Sequence, residues 1–289
     1  MQAKKKVSVS DLKALKNREK IAVLTAYDYS TAALCDRTGG IDILLVGDSA
    51  GMVVLGHAST VPVGMDEMLI FCSAVSRAAK RAMVVGDMPF GSYQPSKSMA
   101  VENAIRLVKA GCDAVKLEGG IEIADTVRAI VDSGIPVMGH IGLRPQTSSL
   151  WEGYRVQGRN AESAAMLIRD AQALEAAGAF SIVLEMVASE AADETTKSVS
   201  VPTIGIGSGT GCDGQVLVLH DMLGIYEDIK PRFVKRYAEL SKVISDAVSS
   251  YSSDVRAGKF PEDPKNIFHM DPGEALRFRE KLKHRTKRK

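Results

Sequence analysis

The chain of 289 residues is long enough for one large domain with a sizeable core, and its 45% apolar and 25% charged residues are ordinary for a soluble globular protein. A formal net charge of +2 gives no global field that selects nucleic acid, a membrane surface or an acidic partner. The four cysteines, Cys35, Cys72, Cys112 and Cys212, are far apart and lack C-x-x-C pairing, which argues against metal or disulfide duty and for a reduced, cytoplasmic setting. Met1 to Lys6 is basic without the apolar run of a signal peptide, and no stretch approaches the roughly 18 residues of a membrane span.

Residues 1–20 read as a short capping helix, over about residues 8–18. From about residue 20 to about residue 250, short apolar runs alternate with longer segments of helical period. The predicted strands are Ile21–Ala26, Ile41–Gly47, Ala82–Gly86, Asp113–Leu117, Ile135–Gly139, Ser181–Leu184, Val201–Ile206 and Gln215–Leu219. Continuous apolar strands of this kind suit a parallel sheet covered by helices on both faces. Between them lie Met65–Lys80, with Asp66 as a cap, Ser96–Ala110, which stops at Gly111, Ile121–Asp132, which stops before Gly134, and Asn160–Ala177, which stops at Gly178. The beat predicts a closed (β/α)8 TIM barrel, with an open doubly wound sheet as the alternative. No Pro-, Gly- or Ser-rich linker divides residues 1–289, so one domain is expected, followed by an irregular basic extension over about 261–289. Within that extension Arg277–Lys289 carries a single acid, Glu280.

The strand ends are the informative feature. Apolar runs lead into Asp48, Asp87, Glu118, His140 and Glu185, each at the C-terminal end, where α/β barrels carry their active sites. One such residue alone reads as a helix cap or a loop hydrogen bond. Several carboxylates at one barrel mouth repel and desolvate badly, so a cation belongs among them. Oxygen donors without a Cys or His cluster favour Mg2+ over Zn2+. Lys116 and Glu118 are two apart on one strand and share a face. Lys116 reads either as an interior lysine paired with a carboxylate or as the cation that binds a substrate carboxylate. His57, in the loop Gly51–Thr60, either shapes the site or satisfies loop carbonyls. Glycines at 205, 207, 209, 211 and 214 lack the helix and acid of a dinucleotide fingerprint, so they predict close backbone approach to a ligand. A Ser-His-Asp nucleophile has no G-x-S-x-G elbow to support it.

Several of these runs together resemble one family. Asp48-Ser49-Ala50-Gly51-Met52-Val53-Val54-Leu55-Gly56-His57, Gly86-Asp87-Met88-Pro89-Phe90, Val115-Lys116-Leu117-Glu118-Gly119-Gly120 and Gly139-His140-Ile141-Gly142-Leu143-Arg144-Pro145-Gln146 match the pattern of the ketopantoate hydroxymethyltransferase family. Gly153–Arg159, Leu184-Glu185 and Pro202–Gly207 follow in that family's order, and the resemblance covers roughly residues 8–265. It implies a barrel of the phosphoenolpyruvate/pyruvate superfamily that transfers the methylene group of 5,10-methylenetetrahydrofolate to 3-methyl-2-oxobutanoate. It further implies that Asp48, Asp87 and Glu118 hold or surround Mg2+, and that Ser49 and Lys116, with Asp48 and Asp87, bind the oxo acid. Glu185 is then the base that takes the C3 proton, with His140 as rival base or orienting partner and His57 in support. The pterin is expected over the barrel mouth on the later loops, and the resemblance suggests a homo-oligomer, as a decamer. Met88 stands where Leu is common, the run Ser208–Cys212 departs from the usual form, and the basic tail beyond about residue 270 lies outside the pattern. The alternatives are another Mg-dependent lyase or mutase acting on pyruvate-like acids, which the Gly51–His57 and Gly153–Arg159 runs argue against, and a non-catalytic binding barrel.

Overall fold

The computed structural model of the protein describes residues 5–147 and 155–286. Of the run Gly153–Arg159, Gly153 and Tyr154 lie outside the described residues. All eight expected strands form: β1 (Ile21–Thr25), β2 (Ile43–Val46), β3 (Met83–Asp87), β4 (Ala114–Glu118), β5 (Val137–Gly142), β6 (Ser181–Glu185), β7 (Thr203–Ile206) and β8 (Gly214–Leu217). They pair in sequence order, and β8 returns to β1 through parallel partners such as Val23 and Val216. The ring is closed, which removes the open-sheet alternative.

The helices are α1 (Val9–Leu15), α2 (Tyr29–Arg37), α3 (Ala50–Val53), α4 (Met65–Ala78), α5 (Lys97–Lys109), α6 (Ala124–Asp132), α7 (Ala161–Ala176), α8 (Ser189–Lys197) and α9 (Leu219–Met222). Short polar side chains start several of them by accepting otherwise orphaned amide protons. Ser96 accepts from Met99 N at 3.1 Å, and Asn160 from Ser163 N at 2.8 Å. Asp66 does not cap α4. The cap of α4 is Gly64, with Glu67 accepting from Gly64 N at 3.0 Å, so Asp66 falls inside the first turn and pairs with Arg106 at 2.8 Å. A carboxylate there complements the positive helix end. Gly111, Gly134 and Gly178 follow α5, α6 and α7 with φ of +106°, +89° and +100°, the left-handed stop that glycine adopts without strain.

Apolar residues form two shells. The outer one lies between strands and helices and includes Leu44, Val84, Leu117, Ile182 and Leu184. The inner one fills the barrel with Ile21, Ile43, Met83, Met138, Phe180 and Ile204, and α1 adds Leu12 from below. Leu12 is 1% exposed, and its full burial contributes about 2 kcal/mol. At the same end Lys16 Nζ lies 2.8 Å from Asp213 Oδ2, which also accepts from Thr203 N at 2.9 Å. That end of the barrel serves stability.

The chain divides into two compact units, Met1–Ala238 and Glu239–Lys289. The second holds α10 (Leu240–Arg256) and α11 (Glu274–Thr286). An irregular extension was expected over 261–289, and α11 corrects that expectation. Glu274, Ala275, Leu276 and Arg277 are strong helix formers, and Glu274 pairs with Arg277 one turn later at 2.8 Å. Along α10, Ile244, Val248, Tyr251 and Val255 recur at helical spacing and are exposed. Among the described residues no helix is long and apolar enough to cross a membrane.

Candidate active site

The strand ends of the barrel surround a cavity of about 340 Å3. Strand register brings the polar residues together in its wall. Asp87 is the direct neighbour of Lys116 across β3 and β4, Glu118 of His140 across β4 and β5, and Gly142 of Glu185 across β5 and β6. Asp48 and Ser49 follow β2 and line the same cavity. His57 does not reach it. Its backbone N donates to Gly51 O at 2.8 Å, and its ring packs on that loop.

Lys116 is buried, and its ammonium donates to both oxygens of Asp87 at 2.7 Å, with Glu118 Oε1 at 3.9 Å. Burial pulls the lysine's proton affinity down, but the charges of Asp87, Glu118 and Asp48 outweigh it and hold the group above its ordinary value. Lys116 is therefore a permanent cation, with two of its three donors on Asp87. Asp48 is 4% exposed. Burial and the Asp87 charge push its carboxyl up to about 7, although Gln146 Nε2 donates to it at 2.9 Å. Glu118 is likewise raised well above the carboxylate range, first by burial, and accepts from Gln146 N at 3.1 Å.

His140 is buried between two acids, with Nδ1 3.5 Å from Glu118 Oε1 and Nε2 3.2 Å from Glu185 Oε2. Neither contact is aligned as a hydrogen bond. Burial, then the Lys116 charge, lowers its pKa, so the ring is neutral at pH 7.

The turn after β6 directs Glu185 into the cavity. Met186 adopts φ +47°, a left-handed conformation rare for a residue with a side chain, and Leu143 N holds Glu185 O at 2.8 Å. Opposite, Gly142 has φ +93°, and a Cβ there would stand 2.3 Å from Glu185 O. Gly142→Ala is therefore expected to destabilise the fold by about 2 kcal/mol or more, read as a lower urea midpoint. An unchanged midpoint would show that this close approach is not a constraint.

Three residues in or behind the cavity wall had no role in the sequence reading. Gln146, quoted only within a motif, is fully buried. Besides its contacts with Asp48 and Glu118, it donates Nε2 to Met88 O at 2.9 Å and accepts from Tyr93 Oη at 2.7 Å. Tyr27 Oη lies 2.8 Å from Ser49 Oγ. Asp221, on α9, lines the cavity from the segment after β8. Tyr27 stands two residues past the end of β1, so the same strand-end rule that singled out the acids also reaches it.

The glycine-rich loop serves a different purpose from the one expected. A Cβ at Gly207 would stand 2.9 Å from the Phe233 ring, at Gly209 2.9 Å from Ser189, and at Gly214 2.5 Å from Ile21 O. The close approach is to the chain's own segments, and those contacts account for the glycines.

Among the described residues no three Asp, Glu, His or Cys side chains converge to enclose a metal ion. The donor set is instead open. Asp48 N donates to Asp87 Oδ2 at 3.4 Å and the Asp87 charge acts on the Asp48 carboxyl, while the oxygens of Glu118 face Gln146, His140 and Lys116. An open carboxylate pair fits Mg2+, which keeps several waters and takes its remaining ligands from substrate. The Asp48 carboxyl is raised first by burial and then by the Asp87 charge, and a cation beside it would offset both.

Residues 6–263 match the model of the family described as ketopantoate hydroxymethyltransferase. The chain belongs to that family. A relative named 3-methyl-2-oxobutanoate hydroxymethyltransferase, from Cenarchaeum symbiosum, is 62% identical over 261 residues, covering 90% of this chain and 98% of its own. One of the same name from Nitrosopumilus maritimus is 55% identical over 276 residues, covering 95% and 98%. Among solved structures a phosphonopyruvate hydrolase superposes with a TM-score of 0.59 at 13% identity, covering 97% of each chain. At that identity the likeness speaks for the barrel alone. Membership makes the whole first unit, up to Ala238, a family barrel, and its carboxylate-rich mouth the place to seek the reaction.

Proposed function

We propose that this chain transfers the methylene group of 5,10-methylenetetrahydrofolate to 3-methyl-2-oxobutanoate, with water, giving 2-dehydropantoate and tetrahydrofolate. The observation that carries the reading is the position of Glu185, in a member of this family, on the wall of the cavity shared with Asp48, Asp87 and Lys116.

In this reading Lys116 Nζ and Ser49 Oγ bind the carboxylate of the oxo acid, and Tyr27 fixes the serine rotamer through its 2.8 Å contact. Asp48 and Asp87 hold Mg2+, with Glu118 beside them. When bound, the ion stabilises negative charge developing on the oxygens of the acid. Glu185 takes the proton from C3: it lines the cavity free of Lys116, which engages Asp87 and Glu118, while Asp48 is given to the ion. His140 is a poor base here, since burial lowers its proton affinity; it positions Glu185 through the 3.2 Å contact. The carbon so freed of its proton forms the new bond to the folate methylene, and water then replaces the folate nitrogen on the methylene carbon, giving the hydroxymethyl group and releasing tetrahydrofolate. Apolar wall residues such as Val183, Ile206 and Val216 limit water around the reacting carbon.

Proton NMR of 3-methyl-2-oxobutanoate in D2O with the purified protein tests the first half of the reaction. Mg2+-dependent loss of the C3 proton signal supports it, and methylenetetrahydrofolate should then convert the acid. Folded protein that causes no exchange with Mg2+ present overturns the reading. A homo-oligomer, as a decamer, completes the proposal; the exposed apolar stripe of α10 supports subunit contact, and sedimentation velocity of the full chain decides it, a monomer removing it.

A further inference from the structure

The cavity is larger than a small oxo acid needs, and its walls differ in character. Asp48, Asp87, Lys116 and Glu185 make the polar wall at the ends of β2, β3, β4 and β6. The segment 218–233 makes another, where Val218, Tyr226, Ile229 and Phe233 present apolar and aromatic surface and Arg232 adds one cation. Asp221 is the carboxylate within that apolar wall. Among the described residues its side chain takes part in no hydrogen bond or ion pair, although the charge of Arg236 acts on it at longer range. The sequence around it fixes its direction: Thr25 Oγ1 accepts from Leu219 N at 2.9 Å and ties the start of α9 to the end of β1.

A half-buried carboxylate beside apolar surface, without donors, is costly unless a ligand supplies them. Its burial pushes the Asp221 carboxyl up to about 6, against the Arg236 charge. A second polar group on the cavity wall is also unsatisfied: Thr60 is 3% exposed, and its hydroxyl has no hydrogen-bond partner. A ring with an apolar face and paired donors on one edge would satisfy both the apolar surface and the Asp221 carboxylate. A reduced pterin has that form. Its ring N–H and neighbouring exocyclic amino group are parallel donors, the arrangement that matches the two oxygens of a carboxylate.

We propose that Asp221 binds the donor edge of the pterin of tetrahydrofolate, while Val218, Ile229 and Phe233 cover the ring face. The inference rests on the folate reading above and adds the residue that orients the co-substrate over the oxo acid. Asp221 is a binding and positioning residue; it takes no part in the proton transfer at Glu185.

A binding cycle tests it on the full chain supplied with Mg2+ and 3-methyl-2-oxobutanoate. Titration calorimetry compares tetrahydrofolate with its 2-desamino-2-methyl analogue, on the unaltered protein and on Asp221→Asn. The unaltered protein should prefer tetrahydrofolate by about tenfold or more, and the variant should lose that preference to within about twofold, through weaker tetrahydrofolate binding alone. Equal weakening of both ligands, which is what general damage to the wall produces, overturns the assignment, as does a preference that persists. Asp221→Ala, read in the same cycle, provides the second variant if Asn folds poorly. C3 proton exchange by the unaltered protein without folate is scored separately. Its absence removes the functional reading, whereas exchange together with a persistent preference removes Asp221 alone.

Discussion

Glu185→Gln is expected to slow C3 proton exchange of 3-methyl-2-oxobutanoate by about 10^2–10^4-fold while the acid continues to bind, because a positioned general base contributes about that much. Glutamine keeps the length and shape of the side chain and its approach to His140, so the loss isolates basicity from geometry. The groups proposed to bind the acid, Lys116 and Ser49, lie on β4 and after β2, away from the substitution. Exchange rates by NMR and binding by calorimetry separate the two effects. Full exchange in the variant would transfer the base to His140, the nearest other acceptor at 3.2 Å from Glu185.

The second large effect concerns stability. Asp48→Asn should make the metal-free protein more stable at pH 8 by at most about 4 kcal/mol, and the gain should vanish near pH 3. Asp48 is held at about 7 in the fold, against an ordinary value of 3.8. The folded state therefore binds the proton more tightly than the unfolded one, and the native carboxylate becomes a growing penalty as pH rises from about 4 to about 7. Above that window the cost is complete; below the unfolded value both states are protonated and it is absent. Asparagine removes the charge and can still accept from Gln146. Urea midpoints at pH 8 and pH 3 measure the difference, and a variant that is less stable at pH 8 refutes the account. Such a gain on removing a functional group is the usual trade between a strained site and a stable fold.

The barrel was legible because a strand buried on both faces writes itself as a continuous apolar run, and Ile43–Val46, Met83–Asp87 and Ser181–Glu185 do so with little interference. The acids at their ends were legible for the same reason, since a charge that ends such a run falls at the mouth. Gln146 was not, because its meaning comes from partners such as Asp48, 98 residues away, and Tyr93, 53 away. Asp221 was obscured by a short α9 with no apolar run of its own before it beyond β8. The glycines of 205–214 misled because composition records that room is needed without recording what fills it; here Phe233, Ser189 and Ile21 do. The extension was read as irregular from its charge, while its Glu, Leu, Ala and Arg content favours the helix that forms.

The inner apolar shell has a consequence for the order of events. Leu12, Ile21, Ile43 and Phe180 close the barrel from below, so traffic to the acids passes through the mouth. On the proposed assignments, a small acid held against Lys116 would lie deeper than a ligand on the wall of Phe233 and Asp221. In kinetic terms the proposed sites make the cup a last-in, first-out stack, in which the oxo acid is expected to enter before the folate and tetrahydrofolate to leave before the product.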